Sequence, residues 1–227
     1  MNAYFIFNNI DSRDMGVIVN KLPSITKSEK NIDKVEIQGR DGFLTLDYNT
    51  YKGTIKSVEC TLDNGNIDNI CTWLDGSGEV IFSNEDDKVY KTVITNQISL
   101  SKIIPILHTF LIQFDCQPHK YSTNKNTIDL NTTPVTLFNF GTATSKPVIK
   151  VYGSGNIELL INNSTINLTN IVENVTINCD IMDCYKGDIL MNNNMSGDFP
   201  TLQVGINTIS WTGSVSKIEI TPNWRWL

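Results

Sequence analysis

Phe110-Leu111-Ile112-Gln113-Phe114-Asp115-Cys116-Gln117-Pro118 is the stretch that decides the fold of this 227-residue chain. Phe110, Ile112, Phe114 and Cys116 recur at every second position, which puts all four on one face of a β-strand. The proline that follows marks its end. Working upstream, the same period appears in Tyr4–Phe7, in Val17–Val19, and in Thr54–Leu62 with Val58, Cys60 and Leu62 inward. Lys34–Gln38 places Val35 and Ile37 inward, and Phe43–Asp47 does the same with Leu44 and Leu46. Between them Gly39-Arg40-Asp41-Gly42 forms a hairpin turn. Val80–Ser83 and Lys88–Thr95 flank a second turn, Asn84-Glu85-Asp86-Asp87, whose carboxylates read as a solvated tip rather than a metal site. One segment changes period. Ile67, Ile70, Cys71 and Leu74 fall at i, i+3, i+4 and i+7, after capping-type Asp63 and Asn64 and before Gly76, which predicts an amphipathic helix of about three turns.

Residues 20–33 follow neither period, and so long a connection within a compact domain is usually functional. The expectation is an ordered arm that touches a neighbouring subunit through Leu22, Pro23, Ile25, Lys27, Lys30 and Ile32, with a mobile loop as the alternative. Downstream of Pro118, the stretch YSTNKNTIDLNTTP is rich in Asn, Thr and Ser, as connectors tend to be. A domain boundary is expected there, giving 1–121 and 122–227. Charge density drops at the same place: residues 1–121 carry 28 charged side chains and residues 122–227 carry 14. The second half reads as about nine short strands without a helix. Pro147–Tyr152, Ile157–Ile161, Ser164–Leu168, Val175–Cys179, Asn207–Trp211 and Lys217–Thr221 are the clearest, with turns such as Gly153-Ser154-Gly155 between them. Such a pattern predicts an antiparallel sandwich or jelly roll.

Composition narrows the function. The formal charge is -6 and no basic run occurs, which argues against tight or sequence-specific nucleic-acid binding. The most apolar run, Ile103–Ile112, contains Pro105, His108 and Thr109 and is too short to span a bilayer, so membrane insertion is not expected. The N-terminus lacks the basic region of a signal peptide. Five cysteines form no CxxC pair and read as buried thiols. His108 and His119 are the only histidines, so a Ser-His-Asp or Cys-His site would have to use one of them. Cys116 and His119 supply two ligands where a structural zinc needs four. No GxxxxGK, GxGxxG, GxSxG or HExxH motif occurs. The chain therefore reads as a non-enzyme without cofactor.

Two aromatic groups admit a binding role. Trp211, Trp224, Trp226, Tyr152 and Tyr185 could furnish a sugar-binding face, although Trp211 continues the alternation of Ile209 into the core. Trp224, Arg225 and Trp226 are residue types found at interface hot spots, and form either a plug on their own domain or a contact with a partner.

Several phrases, taken in order, resemble the siphophage distal tail protein family, often called Dit. They are Val35-Glu36-Ile37-Gln38-Gly39-Arg40-Asp41-Gly42, Trp73-Leu74 followed by Gly76-Ser77-Gly78-Glu79-Val80-Ile81-Phe82, and the opening stretch Phe110 to Pro118. In the second half they are Gly153 to Ile161, Gly197-Asp198-Phe199-Pro200-Thr201-Leu202, and Ile218 to Arg225. The resemblance implies a mainly β chain, with an N-terminal split β-barrel and one flanking α-helix, akin to tail-tube proteins, and a C-terminal galectin-like β-sandwich. It implies a structural hub of the phage tail tip: a homo-hexameric ring that joins the tail tube protein to the tail-tip (tail-associated) protein and to receptor-binding or baseplate proteins. The expected location is the virion, at the distal end of the tail, after synthesis in the host cytoplasm. The alternative is a carbohydrate-binding adhesin module of the tail tip. Longer relatives carry inserted carbohydrate-binding modules, for which 227 residues leave no room.

Overall fold

The computed structural model describes residues 3–63, 66–104 and 107–227. The chain divides into two compact units, Met1–Thr123 with Leu227, and Asn124–Trp226.

The first unit contains β1 (Phe5–Phe7), β2 (Ile10–Asp11), β3 (Val17–Lys21), β4 (Lys30–Glu36), β5 (Phe43–Tyr51), β6 (Thr54–Asp63), α1 (Ile67–Trp73), β7 (Gly76–Phe82), β8 (Lys88–Ile94), β9 (Ser101–Ile104) and β10 (Leu107–Ser122). Hydrogen bonding orders one sheet as β2-β1-β7-β8-β10-β6-β3, with β9 added to β10. The sheet curls until its end strands approach: the Val17 amide at the start of β3 donates to the carbonyl of Ser12, which follows β2. This is a split barrel, with no ladder closing its wall among the described residues.

Its core follows from the alternation. Phe110, Ile112, Phe114 and Cys116 of β10 are buried beside Val58, Cys60 and Leu62 of β6, with Phe110 paired to Cys60 and Ile112 to Val58. Phe5, Phe7, Phe82 and Phe114 form an aromatic cluster, in which Phe5 stacks on Trp73 at 5.4 Å and an interplanar angle of 3°. The helix is shorter than its period predicted. It spans seven residues, capped by the Asn66 side chain, which accepts from the Asp68 and Asn69 amides. The expected capping residue Asn64 lies outside the described residues. Ile70, Trp73 and Leu74 are buried while Cys71 is exposed, because the Trp73 indole, which donates to the Phe7 carbonyl at 3.1 Å, sets which face packs.

β10 also departs from expectation. It runs on past Pro118 to Ser122, across a register shift between Cys116 and Lys120. An irregularity in the ladder is where a strand can hold a proline without losing a needed donor.

The second unit contains β11 (Ile128–Leu130), β12 (Val135–Asn139), β13 (Val148–Ile161), β14 (Ser164–Ile171), β15 (Asn174–Asn178), β16 (Asp183–Lys186), β17 (Ile189–Leu190), β18 (Met195–Ser196), β19 (Gly205–Thr221) and β20 (Arg225–Trp226). Here the expected short strands merge. Gly153-Ser154-Gly155 is not a turn but a bend within β13, and Asn207–Trp211 and Lys217–Thr221 are the two ends of β19. Both long strands serve two layers. The first part of β13 pairs with β15, the later part with β14, and β19 accompanies it throughout with register shifts at the bend. Glycine is required there: a Cβ on Gly153 would lie 2.3 Å from the Ser214 carbonyl oxygen, and one on Gly213 2.5 Å from that of Asn156. The two layers enclose Ile149, Val151, Ile157, Leu159, Ile161, Ile166, Leu168, Val175, Ile177, Ile209, Ile218 and Ile220. This is the galectin-like sandwich.

Candidate assembly surfaces

β4 and β5 pair with each other and form a separate two-stranded sheet. The register sets Val35 opposite Leu44, Asp33 opposite Leu46 and Glu36 opposite Phe43. Val35, Ile37, Leu44 and Leu46, expected to face a core, are exposed, and so are Phe43 at 51% and Tyr48 at 51%. The physical reason is the missing second layer: alternation selects a face for each side chain but supplies nothing to cover it. Polar contacts brace the ribbon instead. Lys30 pairs with Asp47, the Tyr48 hydroxyl donates to Asp33 at 2.5 Å, and the Lys34 ammonium sits 4.7 Å from the centre of the Phe43 ring. A two-stranded ribbon is at best marginally stable alone, and this one carries apolar side chains on both faces.

The chain entering the ribbon is held down. The Asn84 side-chain amide donates to the Pro23 carbonyl at 2.9 Å, the Lys56 ammonium to the Ser24 carbonyl at 3.1 Å and to the Thr26 hydroxyl at 3.4 Å, and the Ser28 hydroxyl to the Pro118 carbonyl at 2.7 Å. Lys56 is only 4% exposed. Burial lowers its pKa, opposed by the attraction of Cys116 and Glu85. Glu85, expected at a solvated turn tip, accepts instead from the Tyr90 hydroxyl and from Lys120, and burial followed by the bond to Glu85 pushes the Tyr90 pKa up. Of the arm candidates, Pro23 is buried, Leu22 packs partly against the core, Ile25 and Lys27 are exposed, and Lys30 and Ile32 belong to β4. The six residues thus divide between a fastened lead-in and the foot of the ribbon. Phe43, Leu44, Leu46 and Tyr48 were not legible as surface residues.

In the second unit Trp224 packs against the sandwich core, and Arg225 donates from Nε to the Thr144 carbonyl while its own carbonyl accepts from the Ala143 amide at 3.2 Å. Trp226 is half-buried. Trp211 is partly buried at the margin of the core and its amide donates to Thr133 at 3.1 Å. Tyr152 has the ammonium groups of Lys150 and Lys217 over its ring at 4.8 and 5.1 Å, and its hydroxyl donates to Glu219 at 3.0 Å. A pyranose would have to displace those cations to stack on the ring.

Reactive chemistry is sparse. Burial raises the thiols of Cys60 and Cys179 to about 12 and those of Cys116 and Cys184 to about 11, far from thiolate at neutral pH. Among the described residues no group of three His, Cys, Asp or Glu side chains is placed to hold a metal ion, and no helix is long and apolar enough to cross a membrane.

No protein-family model and no curated protein sequence matches the chain. A solved structure does: the crystal structure of the SPP1 Dit (gp 19.1) protein, described as a paradigm of the hub adsorption apparatus in phages that infect Gram-positive bacteria. It matches over 100% of both chains with a TM-score of 0.79 and 16% sequence identity. The chain therefore has the Dit fold from end to end.

Proposed function

We propose that this protein is the structural hub of a siphophage tail tip, a virion component at the distal end of the tail that performs no catalysis. The observation that carries the reading is the match over both complete chains to a Dit hub at a TM-score of 0.79. A shared core alone would leave one unit unmatched. In this reading six copies form a closed ring through the first unit, joining the tail tube protein to the tail-tip protein and to receptor-binding or baseplate proteins. The host cell's cytoplasm is where it is made.

The ribbon β4–β5 supports the ring. A head-to-tail ring joins one patch of a subunit to a different patch on the next, and the ribbon offers such a patch, with exposed apolar side chains on a fastened lead-in. The candidate contact accordingly moves from residues 20–33 toward Phe43, Leu44 and Leu46, with Trp224, Arg225 and Trp226 serving the fold of their own chain. The expected result of cryo-microscopy of the assembled tail is six copies in a ring at the distal end of the tube. Single peripheral copies, or trimers at fibre ends, would replace the hub with an adhesin.

A further inference from the structure

β12 lies at the edge of the sandwich and pairs with β19. Its register sets Phe138 opposite Ile206 and Asn139 opposite Gly205. Phe140 and Val204 continue the same outward positions. The four side chains form a square on the outer surface, exposed by 48% (Phe138), 70% (Phe140), 53% (Val204) and 72% (Ile206), with the two phenylalanine rings 4.9 Å apart. This outward pose is enforced. Asn139 and Asn207 are buried between the exposed positions: Asn139 donates to the Leu202 carbonyl at 3.0 Å and accepts from the Gly141 amide at 2.8 Å, while Asn207 donates to the Gln203 carbonyl at 2.8 Å. Neither strand can turn over to hide its apolar residues without stripping a buried amide of its partners.

The segments that carry the square are themselves uncharged. Residues 130–145 and 199–216 contain no Asp, Glu, Lys or Arg, in a chain with 42 of them. Exposed edge strands are often defended by charged side chains, and β12 carries none. Interface centres, by contrast, are depleted of charge and enriched in aromatic residues.

We infer that the β12 edge and the Phe138–Phe140–Val204–Ile206 square form a docking site for an extended, uncharged segment of another protein. That segment adds as a strand to β12 and lays alternate apolar side chains beside Phe138 and Phe140, the near half of the square. The size of the patch selects this occupant over a second copy. It offers on the order of 400 Å² of apolar surface, about half of the ~800 Å² per partner of a stable complex. Strand addition makes up the difference with main-chain hydrogen bonds. The inference relies on the hub reading only for where the partner is sought.

The test places a photocrosslinking benzoylphenylalanine at position 140 of the full chain, in cells producing the particle, and measures amide exchange of residues 135–139 in the free protein and in the particle. Crosslinks that converge on one uncharged, alternating segment of a single neighbour, with those amides protected in the particle, are expected. F140D, which should leave the melting temperature unchanged, is expected to cut recovery of that neighbour about tenfold while the chain itself is still incorporated. Crosslinks to a second copy or to lipid, or unprotected amides and no crosslink, overturn the inference. Loss of the chain itself from tails bearing unaltered protein would instead fault the hub reading, and the crosslinks formed in whole cells would still decide this one.

Discussion

Lys56 occupies the same face of β6 as Val58, Cys60 and Leu62, so the alternation that builds the core also drives an ammonium group inside. There it ties down Ser24 and Thr26, the lead-in to the ribbon. At pH 7 K56M should cost about 1 kcal/mol or less, because release of a desolvated charge offsets most of the ~1–3 kcal/mol of lost hydrogen bonding. Its local effect should be larger: limited proteolysis within residues 24–29 should accelerate. The pH dependence has a definite sign. Burial lowers the folded pKa of Lys56 below the ordinary 10.5, and the unfolded chain keeps the ordinary value. Between the two the unfolded state binds more protons, so stability rises with pH. The wild type should therefore gain on K56M as pH is raised from 7 toward 10. Urea midpoints of the two proteins measure this, and a difference that does not grow removes the buried charge from the account. Gly153 is a second diagnostic residue. G153A puts a methyl group against the Ser214 carbonyl and should destabilise the second unit by about 1–3 kcal/mol, read as a lowered melting temperature.

At the scale of elements, the sequence disclosed which segments are strands far better than what those strands face. The alternation in Phe110–Cys116 and Thr54–Leu62 was decisive because a curled sheet covers one side of each. The same alternation in Val35–Ile37 and Leu44–Leu46 misled, since a ribbon without a second layer leaves both faces in solvent. Gly153-Ser154-Gly155 read as a turn because glycine marks turns and strand crossings alike, and only the approach of Ser214 separates the two cases. The apolar square of the second unit left a trace in the two uncharged runs, 130–145 and 199–216, but composition alone does not tell an exposed run from a buried one. The ribbon yields a sharp experiment because its ends meet: Lys30 and Tyr51 are register partners. Replacing residues 31–50 by Asn-Gly, a sequence suited to a two-residue hairpin link, should leave the melting temperature of the first unit within a few degrees. If the ribbon is the ring contact, the same protein should fail to enter tails. Normal incorporation would move the contact elsewhere on the first unit.

For the whole molecule the governing quantity is net charge. Each chain carries -6, so the six copies of the proposed ring would carry -36; closure of that ring would work against long-range repulsion, and in this proposal the attraction comes from apolar contact at short range. The two respond oppositely to salt. Screening acts over about 10 Å at 0.1 M ionic strength and about 3 Å at 1 M, which weakens repulsion between subunits and leaves apolar burial intact. The ribbon's ion pair, Lys30 with Asp47, joins its own two strands and so opposes no part of this trend. Association of the purified protein should therefore strengthen as sodium chloride is raised from about 0.05 to 0.5 M, seen in mass photometry as growth of the largest closed species at fixed protein concentration. The same charge should keep duplex DNA off the protein, with no mobility shift at low salt, where attraction to phosphates would be strongest. Both outcomes are what the proposed ring would need if a genome is to slide through it without being gripped. Dissociation by salt would show that ion pairs between subunits, rather than the exposed apolar residues of the ribbon, hold the assembly. Phe43, Leu44 and Leu46 would then need another role.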